Sequence, residues 1–167
     1  MVLALSAIVV PGVMYYYQAA SDNNKTQTTV SEVMSIVSAI NGLYIGNSGY
    51  TGLKESVIYN TSAVPDNYKG NNSKIMHPFG GEINIGATAD GSKYYIVLNN
   101  VPQGPCVNLA SMNFGTSLAG AGVGSKAVAA AKTGSTGNSD LMNKALTPAL
   151  ASGKCNTGPN EIAFLLK

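Results

Sequence analysis

Three features of the sequence carry residue types that could do chemistry: a glycine-rich stretch, a lone histidine and two cysteines. The stretch "GAGVGSKAV" at residues 120–128 is similar to a phosphate-binding loop. Such a loop needs lysine directly after the last glycine, then serine or threonine. Here Ser125 separates Gly124 from Lys126, and Ala127 follows. We therefore interpret residues 120–128 as a flexible, glycine-rich connection.

His77 is the single histidine of the chain and stands directly before Pro78. It has no second histidine with which to share a metal ion, and no nucleophile-elbow motif accompanies it. We interpret it as a loop histidine. The eight acidic residues are dispersed, so their spacing indicates no carboxylate pair. The sequence therefore predicts no catalytic residue, no metal site and no cofactor, and it does not indicate an enzyme.

Cys106 and Cys155 could be two buried thiols, a redox couple or a disulfide. A redox couple is disfavoured because the C-x-x-C spacing is absent. Two cysteines and one distant histidine also make a poor zinc site. A disulfide would imply an oxidising compartment, which fits the apolar start of the chain.

The overall composition argues against nucleic acid as a partner. The chain has 167 residues, of which only 11% are charged, and its net charge is +2. The lysines are scattered and form no basic block, so no strong electrostatic field is expected. The sequence thus gives no indication that the chain binds nucleic acid.

The first element that the sequence indicates is an apolar segment with no charge over residues 1–21. A removable signal peptide is disfavoured, because no lysine or arginine precedes the apolar run. The run is long enough to span a bilayer as a helix. Pro11 and Gly12 stand in its middle, where proline removes a helical hydrogen bond. Three tyrosines at 15–17 lie near its polar end, as aromatic rings do at membrane interfaces.

The helical pattern continues beyond this segment. After a polar patch, apolar residues recur at spacings of three and four, which indicates an amphipathic helix with one apolar stripe. The stripe consists of Val30, Val33, Val37, Ile40 and Tyr44. We predict one long helix over residues 1–44, about 65 Å in length. Its second half would pack on a domain, and its first half would protrude.

The remainder of the chain is predicted to mix polar loop, strands and short helices. "TGLKESVIYN" could hold a short helix capped by Thr51. "EINI" and "YYIVLNNV" read as an antiparallel pair of strands, and "NEIAFLLK" as a final strand. Helices are predicted in "GPCVNLASMNFG", "SKAVAAAKTG" and "SDLMNKALTPALASG", the last broken or kinked by Pro148.

Several stretches in this order resemble the type IVb pilins, most closely the bundlins and the thin-pilus pilins of conjugative plasmids. The stretches are "MVLAL", "GVMYYYQAASDNNK", "SEVMS", "SAINGLYIG", "NTSAVPDNYK", "HPFGGEINIG" and "CVNLASMNFGTS". They cover the N-terminal half well, and from about residue 119 the similarity is thin.

The resemblance implies an α+β pilin fold, in which a long protruding N-terminal helix packs on a twisted antiparallel sheet with peripheral short helices. In that fold, residues 1–24 form the apolar filament core, residues 25–44 dock on the head, and residues 45–167 form the head. The resemblance also implies a disulfide from Cys106 to Cys155 that bounds a region over residues 106–155. Val30, Val33, Val37 and Ile40 would hold the head to the helix.

The implied function is that of a major pilin, a structural subunit that polymerises with copies of itself and serves mating, adhesion or aggregation. A minor, tip-located pilin or a membrane-anchored adhesin is the alternative. Other implied partners are a prepilin peptidase, the pilus assembly machinery and, before assembly, the inner membrane; the filament itself is extracellular. The filament core and the point of helix melting would comprise Val2, Leu3, Leu5, Ile8, Val9, Pro11, Gly12 and Val13.

The sequence departs from the pilin pattern in one respect. Pilins carry a glutamate near the mature N-terminus, after a leader that ends in glycine. This chain shows neither feature before Asp22. We therefore expect several residues to precede Met1 in the mature protein.

Overall fold

The chain begins with one long helix. The computed structural model describes the backbone of residues 2–167 and the side chains of residues 22–167. Helix α1 runs from Val2 to Leu43, and the chain leaves it through Gly46, which adopts a positive φ of 83°. Among residues 22–167, whose side chains are described, no helix combines the length and the apolar character that crossing a membrane requires.

The head contains a five-stranded sheet with the spatial order β1-β2-β3-β5-β4. All neighbouring strands are antiparallel, and Ile96 of β3 lies between Ile85 of β2 and Phe164 of β5. The strands are β1 Ile75–Met76, β2 Glu82–Ala87, β3 Tyr94–Val101, β4 Leu118–Val123 and β5 Asn160–Leu166. The predicted strand pair and final strand are therefore present, with β5 inserted beside β3.

The two faces of the sheet carry separate apolar clusters, because side chains alternate along a strand. Ile96, Leu98 and Phe164 belong to the larger cluster, which also contains buried residues of α1. Val97 and Leu165 belong to the smaller cluster. The central strands are thus covered on both faces, which explains their nearly continuous apolar sequence.

Four short helices complete the head: α2 Glu55–Tyr59, α3 Gln103–Ala110, α4 Ser125–Thr133 and α5 Pro148–Lys154. Helix α4 packs on the smaller cluster through Ala127 and Ala131, whereas α3 contacts α1 and α5. The predicted α+β class, with a long N-terminal helix, an antiparallel sheet and short helices, is confirmed.

Two predictions about helix ends are wrong. Pro148 does not break a longer helix but opens α5, where its missing N–H costs nothing, and the Thr147 side chain accepts a hydrogen bond from the Leu150 N–H. Thr51 does not cap α2, because that helix begins after Lys54, whose side chain makes no capping bond.

The interpretation of residues 120–128 as a flexible connection is also wrong. Their first half belongs to strand β4 and their second half to α4. Gly122 is buried in β4, where an added Cβ would meet the Asp140 carbonyl oxygen and the Ala127 Cβ. The glycine therefore permits close packing on both sides of the strand.

Candidate functional site

His77 is a structural residue of a tight turn. Its side chain is buried, its Nδ1 accepts a hydrogen bond from the Phe79 backbone N–H, and its Nε2 lies in hydrogen-bond contact with the Asn99 carbonyl oxygen. Because Nδ1 accepts, Nε2 carries the proton and donates. Burial lowers the pKa of His77 against the opposing effect of the Asn99 bond. Both ring nitrogens are occupied, so neither can serve as a base or a ligand.

A polar cleft of about 400 Å³ lies beyond the C-terminal end of α1. Its one carboxylate, Asp90, accepts hydrogen bonds from the hydroxyls of Thr88 and Ser92 and from the Ser92 N–H. These bonds, with the Thr88 bond foremost, lower the pKa of Asp90 to about 2. The carboxylate is thus held ionised within its own turn. The cleft is lined by Tyr44, Asn47, Ser48, Gly49, Thr51, Asp90, Gly91 and Ser92.

The described residues hold no group of three or more histidine, cysteine, aspartate or glutamate side chains that could bind a metal ion. Lys126, the lysine of the loop-like motif, is exposed on the first turn of α4.

The docked part of α1 presents one apolar face to the head. Val33, Ile36 and Ile40 are fully buried, Val37 is buried, and Val30 is half-buried against the same cluster. Between residues 25 and 43, the opposite face of α1 is polar or small, apart from Met34 and Leu43. The residues predicted for the filament core and helix melting, from Val2 to Val13, lie outside the described side chains.

Glu32 lies within the docked face and was not anticipated from the sequence. Only 4% of it is exposed, and neither carboxylate oxygen has a hydrogen-bond partner. Burial raises the pKa of its carboxyl to about 8. Its position four residues before Ile36 could have revealed the burial, because residues four apart share a helix face and Ile36 is fully buried beside the predicted stripe.

A disulfide joins Cys106 in α3 to Cys155 directly after α5, with their Cα atoms 6.0 Å apart. Both cysteines are buried. The bond encloses β4, α4 and α5. It therefore ties the enclosed region to α3, which in turn contacts α1.

Asn160 holds the turn that follows the disulfide by side-chain hydrogen bonds, and no motif in the sequence indicates this role. Its side-chain NH₂ lies within 3.1 Å of the carbonyl oxygens of Val101, Asn156 and Gly158. Its side-chain oxygen accepts a bond of 2.8 Å from the Asn156 N–H. This buried amide thus joins the turn before β5 to the end of β3.

Comparison with known proteins identifies relatives along the whole chain. The family model described as Bundlin matches residues 18–163. Two proteins named "Major structural subunit of bundle-forming pilus", from Escherichia coli O111:H- and Escherichia coli O127:H6, are each 47% identical to this chain over 173 aligned residues. Each alignment covers 100% of this chain and 90% of the relative.

Proposed function

This chain belongs to the bundlin family, and we propose that it is the major structural subunit of a type IV pilus filament. The observation that carries the proposal is the 47% identity, along the entire chain, to proteins named as the major structural subunit of a bundle-forming pilus. Such a subunit acts by assembling with copies of itself. It is a structural protein and not an enzyme.

Helix α1 supplies the means of assembly. It begins at Val2, far ahead of Thr29, the first fully buried residue among those whose side chains are described. We assign residues 1–24 to the filament core, where each apolar half-helix packs on those of neighbouring copies. Burial of this surface contributes about 25 cal/mol per Å². The core residues are Val2, Leu3, Leu5, Ile8, Val9 and Val13, and Pro11 and Gly12 mark the place where the helix melts on assembly.

The head, residues 45–167, is carried on the docked half of the helix, residues 25–44. In this proposal Val30, Val33, Val37 and Ile40 hold the two together, which their burial on the head supports. The disulfide keeps the region over residues 106–155 compact outside the cell, where no reducing system acts on it.

Before assembly, the apolar half-helix resides in the inner membrane, and the subunit is a substrate of a prepilin peptidase and of the pilus assembly machinery. After assembly, the same surface is buried in an extracellular filament. The filament serves contact between cells, in mating or in adhesion and aggregation. Residues 1–21 contain no charged residue, which is compatible with residence in the membrane and with burial in the filament core.

Electron microscopy of material sheared from the cell surface tests the proposal. We expect filaments in which this chain is the predominant protein by quantitative mass spectrometry, and loss of the filaments when the gene is deleted. A few copies per filament would instead indicate a minor, tip-located subunit. Filaments that persist without this chain would refute its assignment as the major subunit.

A further inference from the structure

Three threonine hydroxyls bond to the backbone of α1 where its apolar half meets its docked half. Thr26 donates to the Asp22 carbonyl oxygen at 2.8 Å, Thr28 to that of Asn24 at 2.9 Å, and Thr29 to that of Lys25 at 2.7 Å. Each bond reaches back four residues, to the carbonyl that also accepts the threonine's own backbone N–H in an α-helix. Such bonds weaken a helix slightly and often bend it.

The same stretch, residues 22–29, has little else to keep it helical. Six of its eight residues are aspartate, asparagine or threonine, which favour helices poorly. Only Thr29 is fully buried. Lys25 of this stretch reaches the head, with its Nζ 6.0 Å from the centre of the Phe79 ring. Residues 22, 23 and 26 line one side of a small cleft, and the start of α3 lines the other. Neither intrinsic propensity nor apolar packing holds this part of α1.

The hydroxyls also lower the cost of opening the helix here. When a helical hydrogen bond breaks, its carbonyl loses the N–H partner, and a second donor that is already in place offsets part of that loss. In residues 22–29 three carbonyls already have a second donor. They would remain hydrogen-bonded if the chain bent or stretched.

We propose that residues 22–29 form a hinge between the half-helix that enters the filament and the half-helix that carries the head. The hinge is separate from Pro11 and Gly12 and lies at the base of the head. It lets the head and its docked half-helix tilt together relative to the apolar half, without any loss of the contacts between the head and the docked half. The proposal rests on the proposed function, in which the apolar half is fixed in a filament core.

Hydrogen–deuterium exchange of the full chain in detergent micelles tests the hinge without requiring assembly. We expect the amides of residues 22–29 to exchange at least about tenfold faster than those of residues 33–40. In a variant with Thr26→Val and Thr28→Val, the exchange of residues 22–29 should slow by about fivefold. Valine keeps the β-branched shape and a similar helix propensity, and it removes only the hydroxyl that satisfies the open state.

The direction of this change decides the question. If the hydroxyls instead brace the closed helix, exchange will accelerate in the valine variant, and acceleration or no change overturns the hinge. Equal protection of residues 22–29 and 33–40 in the unmodified chain overturns it as well. The matched control, Ser35→Ala with Ser38→Ala on the exposed face of the docked half, should leave exchange of residues 22–29 unchanged. Filament formation by the unmodified chain is scored separately, so failure of the proposed function stays distinguishable from failure of the hinge.

Discussion

Glu32 makes the docking of α1 dependent on pH. The raised pKa of about 8, against an ordinary value of 4.5, means that the folded chain keeps a proton that the unfolded chain releases. The free energy of unfolding is therefore highest below pH 4.5, falls as pH rises to about 8, and is level above that. With about 1.4 kcal/mol for each pKa unit, the loss is on the order of 5 kcal/mol.

We predict that Glu32→Gln removes this dependence. The amide is neutral at every pH, so the variant should match the unmodified chain near pH 4 and exceed its stability above pH 8 by about 5 kcal/mol. Chemical denaturation of the full chain in detergent at a series of pH values measures both curves. A variant whose stability falls with pH as steeply as that of the unmodified chain would show that Glu32 is not the responsible group.

The side-chain amide of Asn160 stabilises the fold, because its oxygen and its NH₂ group both form hydrogen bonds. Asn160→Ala removes the side-chain amide and leaves the Asn156 N–H and at least one carbonyl without a partner. We expect a loss of about 3 kcal/mol in the free energy of unfolding. Asn156→Ala is the matched control, because only the backbone of Asn156 takes part in the network, and it should change stability by less than about 0.5 kcal/mol. Equal effects of the two substitutions would contradict the role of Asn160.

At the scale of elements, a glycine in β4 is closely surrounded by other atoms, whereas a glycine in α5 has open space around it. An alanine at Gly122 would place its Cβ against the Asp140 carbonyl oxygen and within 2.8 Å of the Ala127 Cβ. Gly122→Ala should therefore cost about 2 kcal/mol in the free energy of unfolding. Gly153 has open space around it within α5, so Gly153→Ala should stabilise by about 0.5 kcal/mol. Thermal unfolding of both variants checks the pair, and stabilisation by Gly122→Ala would contradict the tight contact of β4 with α4.

The elements that the sequence predicted well are those with a strong hydrophobic period. The stripe from Val30 to Ile40 predicts the docked face, and the alternation in β2 and the apolar run of β5 predict strands. Strand β4 escaped prediction because "LAGAGV" lacks the large β-branched residues that mark a strand. Its place in the sheet depends on pairing with β5, which lies about forty residues later in the chain.

The remaining errors concern contacts that no local pattern encodes. Strand β1 contains only Ile75 and Met76 and exists because it pairs with β2. The burial of Glu32 could have been found by projecting the helix, whereas the bonds of Asn160 depend on the fold of three separate turns and strands. The start of α5 at Pro148 follows from local chemistry, since threonine before proline is a common way to begin a helix.

At the scale of the molecule, the disulfide closes a loop that contains β4, α4 and α5. It links residues separated by 49 positions, for which loop closure predicts a stabilisation of about 4 kcal/mol. We predict that replacing both cysteines by serine lowers the free energy of unfolding by about this amount. The full chain in detergent, unfolded with and without reductant, provides the measurement. Reductant should destabilise the unmodified chain and leave the double variant unchanged; insensitivity of both would contradict the prediction.

In the proposed function the apolar half of α1 drives assembly, whereas the head is folded around its own core. We therefore predict that a substitution can abolish filament assembly and leave the folding of the head intact. Val9→Asp places a charge in the apolar half-helix, where packing against copies of that half-helix leaves the carboxylate without water or a partner, at a cost of several kcal/mol per subunit. We expect no filaments by electron microscopy, whereas the head remains folded, with its disulfide formed and its resistance to proteolysis intact. Ala129→Asp, on the exposed face of α4, introduces the same charge far from α1 and should leave filaments in normal number. Filaments of normal length from the Val9→Asp variant would contradict the assignment of residues 1–24 to the core, because a repeated buried charge cannot be tolerated in every copy along a filament.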